Sequence, residues 1–147
     1  VTGWKIAYCL APRALMAEFR KAHQFITFCI NTPCQLALAD FMRARPEWYA
    51  VLVGFYQGKR DFFRQALSST RFELLPCHGT YFQSVRYTAI SDEADRQLAE
   101  RLTREIGVAS IPVSAFYGNG EDNKVLRFCF AKNEETLTRA VERLGTL

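Results

Sequence analysis

The chain has 147 residues, of which 49% are hydrophobic and 14% aromatic, which is enough apolar material for one sizeable core and excludes a disordered chain. It carries 19 Lys and Arg against 15 Asp and Glu, a net charge of +4. Because the basic residues are scattered singly rather than gathered in a stripe, the sequence does not predict nucleic-acid binding.

The cysteines argue against disulfides and metals. There are 5 of them, an odd number, with no Cys-x-x-Cys pair and mostly apolar neighbours, which is typical of reduced thiols in the cytoplasm rather than of a disulfide framework or a metal site. No apolar stretch approaches about 18 residues, so we predict no membrane association. Because the chain opens with Val1 inside apparent structure, we expect it to be part of a longer protein.

The first elements are a short strand and a helix. Residues 4–10 are bulky and apolar and stop before Pro12, a pattern that predicts a short strand. Apolar side chains then recur every three or four positions over residues 13–28, which predicts an amphipathic helix that Pro12 opens.

Two further helices are predicted next. Asn31 as the cap and Pro33 in the first turn indicate a helix that ends before Pro46. Residues 47–67 carry aromatic and aliphatic side chains at helical spacing and predict a long amphipathic helix. The break before Asn31 indicates that the chain passes from one structural layer to another near Ile30.

Extended runs alternate with helices in the second half. Residues 72–75 and 81–87 read as strands, and the alternating second run indicates one covered face. A helix is predicted from about Ser91 to Ile106, with Gly107 at the position of a left-handed cap.

The last elements complete an α/β pattern. Residues 108–113 and 125–130 predict two more strands, and a helix capped by Asn133 runs through Leu144. The fold class is therefore α/β or α+β, with a small, mainly antiparallel sheet covered by helices.

Two cations stand in apolar surroundings. Lys5 lies in the predicted first strand, where its ammonium needs a partner, either a protein carboxylate or an anionic ligand. Arg127 lies between Leu126 and Phe128 in a predicted strand near the core. Its guanidinium suits a bidentate carboxylate or phosphate, although a structural Arg–Asp or Arg–Glu pair, or a place on the solvent face of the strand, fits the spacing as well.

Five collinear motifs resemble one enzyme family. They are Thr2-Gly3-Trp4-Lys5-Ile6 followed by Ala11-Pro12; Asn31-Thr32-Pro33-Cys34-Gln35; Gly79-Thr80-Tyr81-Phe82; Ile111-Pro112-Val113-Ser114-Ala115-Phe116-Tyr117; and Arg127-Phe128-Cys129-Phe130-Ala131-Lys132. In order and spacing they are similar to the class I/II pyridoxal-phosphate-dependent aminotransferases of fold type I, and among them to the methionine, glutamine and kynurenine branch.

The resemblance implies a position in a larger fold. Residues 1–30 would end the large domain that binds pyridoxal phosphate, and residues 31–147 would form the small C-terminal domain of the pyridoxal-phosphate-dependent transferase fold. The parent enzyme would be a cytoplasmic homodimer acting on amino-acid and 2-oxo-acid substrates.

The resemblance also implies roles for single residues. Lys5 matches the residue that binds the cofactor phosphate, and Arg127 matches the arginine that binds the substrate α-carboxylate. Phe28 matches an aromatic residue that reaches the neighbouring subunit's substrate pocket. Three aromatic residues lie either near the pocket rim or in the core, namely Tyr81, Phe116 and Tyr117.

The implied activity is amino transfer from methionine, glutamine or an aromatic, kynurenine-like amino acid to a 2-oxo acid. The Schiff-base lysine of the family would precede Val1, so no catalytic residue is assigned in this chain and we expect it to be inactive by itself. Two alternatives remain open: a carbon–sulfur β-lyase of the same fold, and a non-catalytic binding or dimerisation module.

Overall fold

A computed structural model describes residues 2–147. The chain divides into two compact units, with the boundary between Ala50 and Val51. We call the residues up to Ala50 the N-terminal unit and Val51–Leu147 the C-terminal unit. The domain boundary that the resemblance implies, between residues 30 and 31, stays a prediction.

The N-terminal unit is helical. A short 3-10 turn over Thr2–Trp4 is followed by an irregular segment, helix α1 over Arg13–Ile26 and helix α2 over Thr32–Ala44. The predicted helix after Pro12 is confirmed. So is the predicted cap of α2, because the Asn31 side chain accepts a hydrogen bond from the Cys34 N–H at 3.1 Å.

The strand predicted over residues 4–10 is wrong. Lys5 has a φ of 54°, in the left-handed region, which interrupts any extended run. No strand among the described residues of the N-terminal unit pairs with this segment. Bulky apolar residues favour a strand only where a neighbouring strand takes up their backbone hydrogen bonds.

Helix α3 runs over Trp48–Leu67, as its helical spacing predicts, and leads into the C-terminal unit. Its C-terminal turns bury Phe63 and Leu67 almost completely. These two side chains belong to a single hydrophobic core that also takes in Val85, Leu126 and Phe128 from the sheet.

The C-terminal unit is built on a four-stranded antiparallel sheet in the order β1-β2-β4-β3. Its strands are β1 over Glu73–Leu74, β2 over Phe82–Arg86, β3 over Ile111–Pro112 and β4 over Val125–Cys129. This confirms the predicted small antiparallel sheet. β4 pairs on both sides.

Two helices complete this unit. Helix α4 over Asp95–Arg101 continues as a π-helical turn over Leu102–Ile106, and Gly107 ends it with a φ of 71°, as predicted. Helix α5 runs over Glu134–Leu144. Its N-cap is Asn133, whose side chain accepts a hydrogen bond from the Thr136 N–H at 2.8 Å.

The strand predicted over residues 108–113 is much shorter in the structure. The Val108 N–H donates to the Leu102 carbonyl instead of to a neighbouring strand. At the other end a 3-10 turn over Val113–Phe116 replaces the extended chain. Only Ile111–Pro112 pairs with β4. The 3-10 turn follows directly after this short strand, which is an edge strand of the sheet.

The sheet has one face in the core. Val85 and Leu126 are directly opposite in register and fully buried, and Phe128 beside them is 3% exposed. Helices α3, α4 and α5 supply core side chains such as Phe63, Leu98 and Leu137, so the helices cover this face, and loop residues such as Tyr87 and Phe130 complete the core. None of the described helices is both long and apolar enough to cross a membrane.

The cap of α5 can be tested by substitution. Asn133→Ala should lower the free energy of unfolding by about 1 kcal/mol, because the Thr136 N–H loses its acceptor. Urea denaturation of both proteins measures the difference. Asn123→Ala, at an exposed site with no side-chain hydrogen bond among the described residues, should change stability by less than about 0.5 kcal/mol. Equal effects of the two substitutions would contradict the assigned cap.

Candidate functional site

Arg127 lies on the sheet face opposite to the core. Its neighbours in β4, Leu126 and Phe128, point into the core, and side chains alternate along a strand, so Arg127 points away from it. Across the ladder it pairs with Ser84 on one side and Ile111 on the other. The guanidinium is therefore held over the middle of the sheet.

Two aromatic rings flank the guanidinium of Arg127. Its Cζ lies 4.0 Å from the centroid of the Phe82 ring and 4.7 Å from that of the Phe116 ring. Each contact of this kind contributes roughly 0.5–2 kcal/mol, more where water is excluded. We call Arg127, Phe82 and Phe116 the arginine clamp.

The arginine clamp has no protein carboxylate. No Asp or Glu among residues 2–147 forms an ion pair with Arg127. Its Nε is buried and has no hydrogen-bond partner in the same range. A buried guanidinium N–H without an acceptor is costly. Of the alternatives for Arg127, the structural Arg–Asp or Arg–Glu pair is thus absent from the described residues, and a planar anion would satisfy the open donor.

Tyr81 joins the clamp indirectly. Its ring centroid lies 4.7 Å from that of Phe82 and 6.0 Å from that of Tyr56. Tyr117 follows Phe116 at the end of the 3-10 turn, where its backbone N–H donates to the Ser114 carbonyl at 3.1 Å. Both tyrosines are partly exposed. The structure thus places Phe116 against Arg127 and Tyr81 against Phe82, and leaves Tyr117 next to Phe116 in the chain.

A cavity of about 490 Å³ lies where β3 diverges from β4, beside helix α5. Its charged lining residues are all basic: Arg127, Lys132, Arg139 and Arg143. It also holds the Ser110 hydroxyl, which is buried without a partner in the described part of the chain. A concave site lined by one sign of charge concentrates counter-ions, so this cavity favours anions; its lining also includes the core residues Phe63, Phe128 and Leu137, which places it on the helix-covered side of the sheet.

A buried carboxylate supports the turn that carries Phe116. Asp95, at the first turn of α4, is 1% exposed. Its two oxygens accept hydrogen bonds from the Ser114 N–H at 2.8 Å and the Ser114 hydroxyl at 2.7 Å. The backbone N–H of Asp95 donates to Asp122 at 3.0 Å. These bonds join α4, the 3-10 turn and the loop before β4.

Asp122 closes this network with a perturbed carboxyl. Burial acts to raise its pKa, but the backbone N–H groups of Lys124 and Asp95 donate to it and the Lys124 ammonium lies 3.4 Å away. The hydrogen bonds and the cation outweigh burial, so the pKa of Asp122 lies below its ordinary value of 3.8.

The other two predicted site residues belong to the N-terminal unit. Lys5 is exposed at a turn, not buried in a strand, and has no acidic partner within the described residues. Phe28 follows α1 and is 84% exposed. Both have a positive φ, 54° for Lys5 and 62° for Phe28. Left-handed residues other than glycine are strained and often occur at functional sites.

Three residues of this site were not predicted from the sequence. The sequence marks Phe82 only as part of a motif. Its contact with Arg127 depends on the register of β2 against β4, and the alternation of apolar and polar residues along each strand does not determine that register. Asp95 and Ser114 are 19 positions apart, so only the tertiary fold joins them. No group of His, Cys, Asp and Glu suited to a metal ion occurs in the part of the chain that the structure covers.

The sequence matches those of known aminotransferases. The family model described as aminotransferase class I and II matches residues 1–144. The chain is 52% identical over its whole length to methionine aminotransferase of Escherichia coli strain K12, of which it covers 38%. It is 30% identical, over 99% of its length, to the probable N-succinyldiaminopimelate aminotransferase of Mycobacterium tuberculosis, of which it covers 39%.

Solved structures give the same result. The crystal structure of YbdL from Escherichia coli, for which a methionine aminotransferase function was identified, superposes with a TM-score of 0.87 at 52% identity over 99% of this chain and 39% of that one. N-succinyldiaminopimelate aminotransferase from Mycobacterium tuberculosis gives a TM-score of 0.84 at 31% identity, with 99% and 38% covered. The chain thus spans well under half the length of these relatives.

The Asp122 carboxylate should contribute to the pH dependence of stability. Because its folded pKa is lowered, its contribution is present above the ordinary value of 3.8 and is lost as the pH falls through the folded pKa. Asp122→Asn should therefore reduce the loss of stability between about pH 5 and pH 2, measured by urea denaturation across that range. Asp92→Asn, at an exposed position, should leave the loss unchanged; an unchanged loss in Asp122→Asn would contradict the assigned network.

Proposed function

This chain belongs to the class I and II aminotransferases, and we propose that it is the C-terminal part of an enzyme that moves an amino group from an amino acid to a 2-oxo acid through pyridoxal phosphate. The amino donor belongs to the methionine, glutamine or aromatic, kynurenine-like group. The 52% identity to a methionine aminotransferase supports methionine within that group.

The arginine clamp is the observation that carries the proposal. The proposed amino-acid and 2-oxo-acid substrates both bear a carboxylate, and Arg127 offers a flat guanidinium whose buried Nε lacks an acceptor among residues 2–147. The Phe82 and Phe116 rings lie against the guanidinium without offering a strong acceptor, so its N–H donors suit a planar anion. Arg127 thus binds and orients the α-carboxylate.

Lys5 is the proposed contact for the cofactor phosphate. A phosphate group needs cations or N–H donors, and the exposed Lys5 ammonium has no carboxylate partner in the described N-terminal unit. The residue therefore fits a phosphate group. Its positive φ fixes the direction in which the side chain leaves the turn.

Arg127 and Lys5 have different proposed roles. Bound pyridoxal phosphate supplies an electron sink for the negative charge that develops at the substrate α-carbon. Arg127 fixes the α-carboxylate, and Lys5 neutralises the phosphate. Neither is the Schiff-base lysine of the family, so we propose that residues 1–147 by themselves do not transaminate.

We further propose a cytoplasmic homodimer for the whole enzyme. Helix α1 and the residues after it expose large apolar side chains, among them Phe25, Ile26 and Phe28, which is typical of a surface that another chain or domain covers. This supports the place of Phe28 at the substrate pocket of a neighbouring subunit. All five cysteines are free thiols, which suits a reducing compartment.

The role of Arg127 can be tested in the full-length enzyme. Arg127→Lys should lower kcat/KM by at least roughly tenfold, because Lys keeps the charge but loses the paired N–H donors of the guanidinium, and a hydrogen bond to a charged group contributes about 1.5–3 kcal/mol. The matched variant Arg104→Lys, at an exposed helix position, should stay within about twofold. An amide of the same amino acid, which lacks the carboxylate, should be a poor substrate for both. Wild-type kcat/KM in Arg127→Lys would contradict the proposal.

The role of Lys5 is separable by comparing two ligands. In the full-length enzyme, Lys5→Met should raise the Kd for pyridoxal phosphate by roughly tenfold or more, since a hydrogen bond to a charged group contributes about 1.5–3 kcal/mol. The Kd for pyridoxal, which has no phosphate, should not change. Absorbance titration measures both, and Lys21→Met on the surface of α1 is the control. An equal effect on the two ligands would show that Lys5 does not bind the phosphate.

A further inference from the structure

We propose that Asp95 and Ser114 are positioning residues that hold the Phe116 ring against Arg127 and thereby raise the affinity of the site for a carboxylate. This inference rests on the proposed function, because it concerns the same site. Neither residue contacts the guanidinium among the described interactions. Both would act through the 3-10 turn that carries Phe116.

The Asp95 carboxylate is unusual in what it binds. It is 1% exposed, and a buried carboxylate is costly unless it is well hydrogen-bonded. Yet no Lys or Arg of the described residues pairs with it; its side-chain oxygens accept only from the N–H and the hydroxyl of Ser114. Both side-chain oxygens of Asp95 therefore hold a single residue of the 3-10 turn.

Ser114 connects Asp95 to the turn that carries Phe116. The two residues lie within a single 3-10 turn, Val113–Phe116, which the Tyr117 N–H closes by donating to the Ser114 carbonyl. On the other side the turn is fixed by the pairing of Pro112 with Leu126. The turn is thus held at two points, the β3–β4 ladder before it and Asp95 beside it.

The two rings of the arginine clamp depend on this anchor unequally. Phe82 belongs to β2 and is fixed by its register against Cys129. Phe116 lies outside the sheet and is 58% exposed, so the core does not hold its ring. Without Asp95 and Ser114, only the β3–β4 ladder before the turn and the contact with Arg127 would position Phe116. Loss of the anchor should therefore weaken one of the two cation–π contacts.

Binding of an unreactive ligand tests the inference without catalysis. In the full-length holoenzyme, calorimetry gives the Kd of 4-methylsulfanylbutanoate, a carboxylate that lacks the amino group. Ser114→Ala should raise this Kd about three- to tenfold, the range for one lost cation–π contact. Ser114→Thr, which keeps the hydroxyl, should restore it. Ser69→Ala removes a comparable hydroxyl hydrogen bond, 2.8 Å to the Ala66 carbonyl, and should leave the Kd unchanged.

A double substitution separates positioning from stability. Phe116→Leu should weaken binding as Ser114→Ala does, and the two together should be no weaker than Phe116→Leu alone, because both remove the same contact. Additive effects, or a Ser114→Ala Kd within twofold of wild type, would overturn the inference. If Arg127→Lys leaves the Kd unchanged, the proposed carboxylate site itself is wrong; if only the Ser114 result fails, the site stands and the anchor does not.

Discussion

Strand β4 pairs on both sides, with β2 and with β3, and this pairing determines the positions of Arg127 and Phe82 in the candidate site. Because side chains alternate along the strand, burial of Leu126 and Phe128 in the core places Arg127 on the other face. A slip of one residue would put the guanidinium into the core and Phe128 into solvent. The hydrophobic core and the anion site therefore depend on the same register.

The environment of Arg127 suits reversible binding of a carboxylate. Aromatic rings hold the guanidinium without neutralising it, whereas an Asp or Glu partner would compete with the substrate. The acidic groups nearby in the fold are used elsewhere: Asp95 binds Ser114, and Asp122 binds Lys124. These two carboxylates thus belong to the supporting hydrogen-bond network, and the Arg127 guanidinium stays available for a substrate carboxylate.

The two units contribute different parts of the proposed chemistry. The N-terminal unit supplies Lys5 and an exposed apolar surface, and the C-terminal unit supplies the arginine clamp on a sheet with its own core. Most elements after Trp48 were predictable because their hydrophobic patterns reflect burial of their side chains in that core. The strand expected over residues 4–10 had no such support, because its pattern indicates burial but no described strand pairs with it.

The sequence by itself determined the helices, their caps at Asn31 and Asn133, and the left-handed Gly107, since these follow from local spacing. It also marked Lys5 and Arg127 as functional candidates, because a charge among apolar residues is costly without a partner. Its collinear motifs also identified the family. Only the tertiary structure decided that Phe82 and Phe116 flank Arg127 and that Asp95 binds Ser114. Those contacts join residues far apart in the chain: the register of β2 against β4 brings Phe82 to Arg127, and the packing of α4 against the turn after β3 brings Asp95 to Ser114, neither of which local pattern encodes.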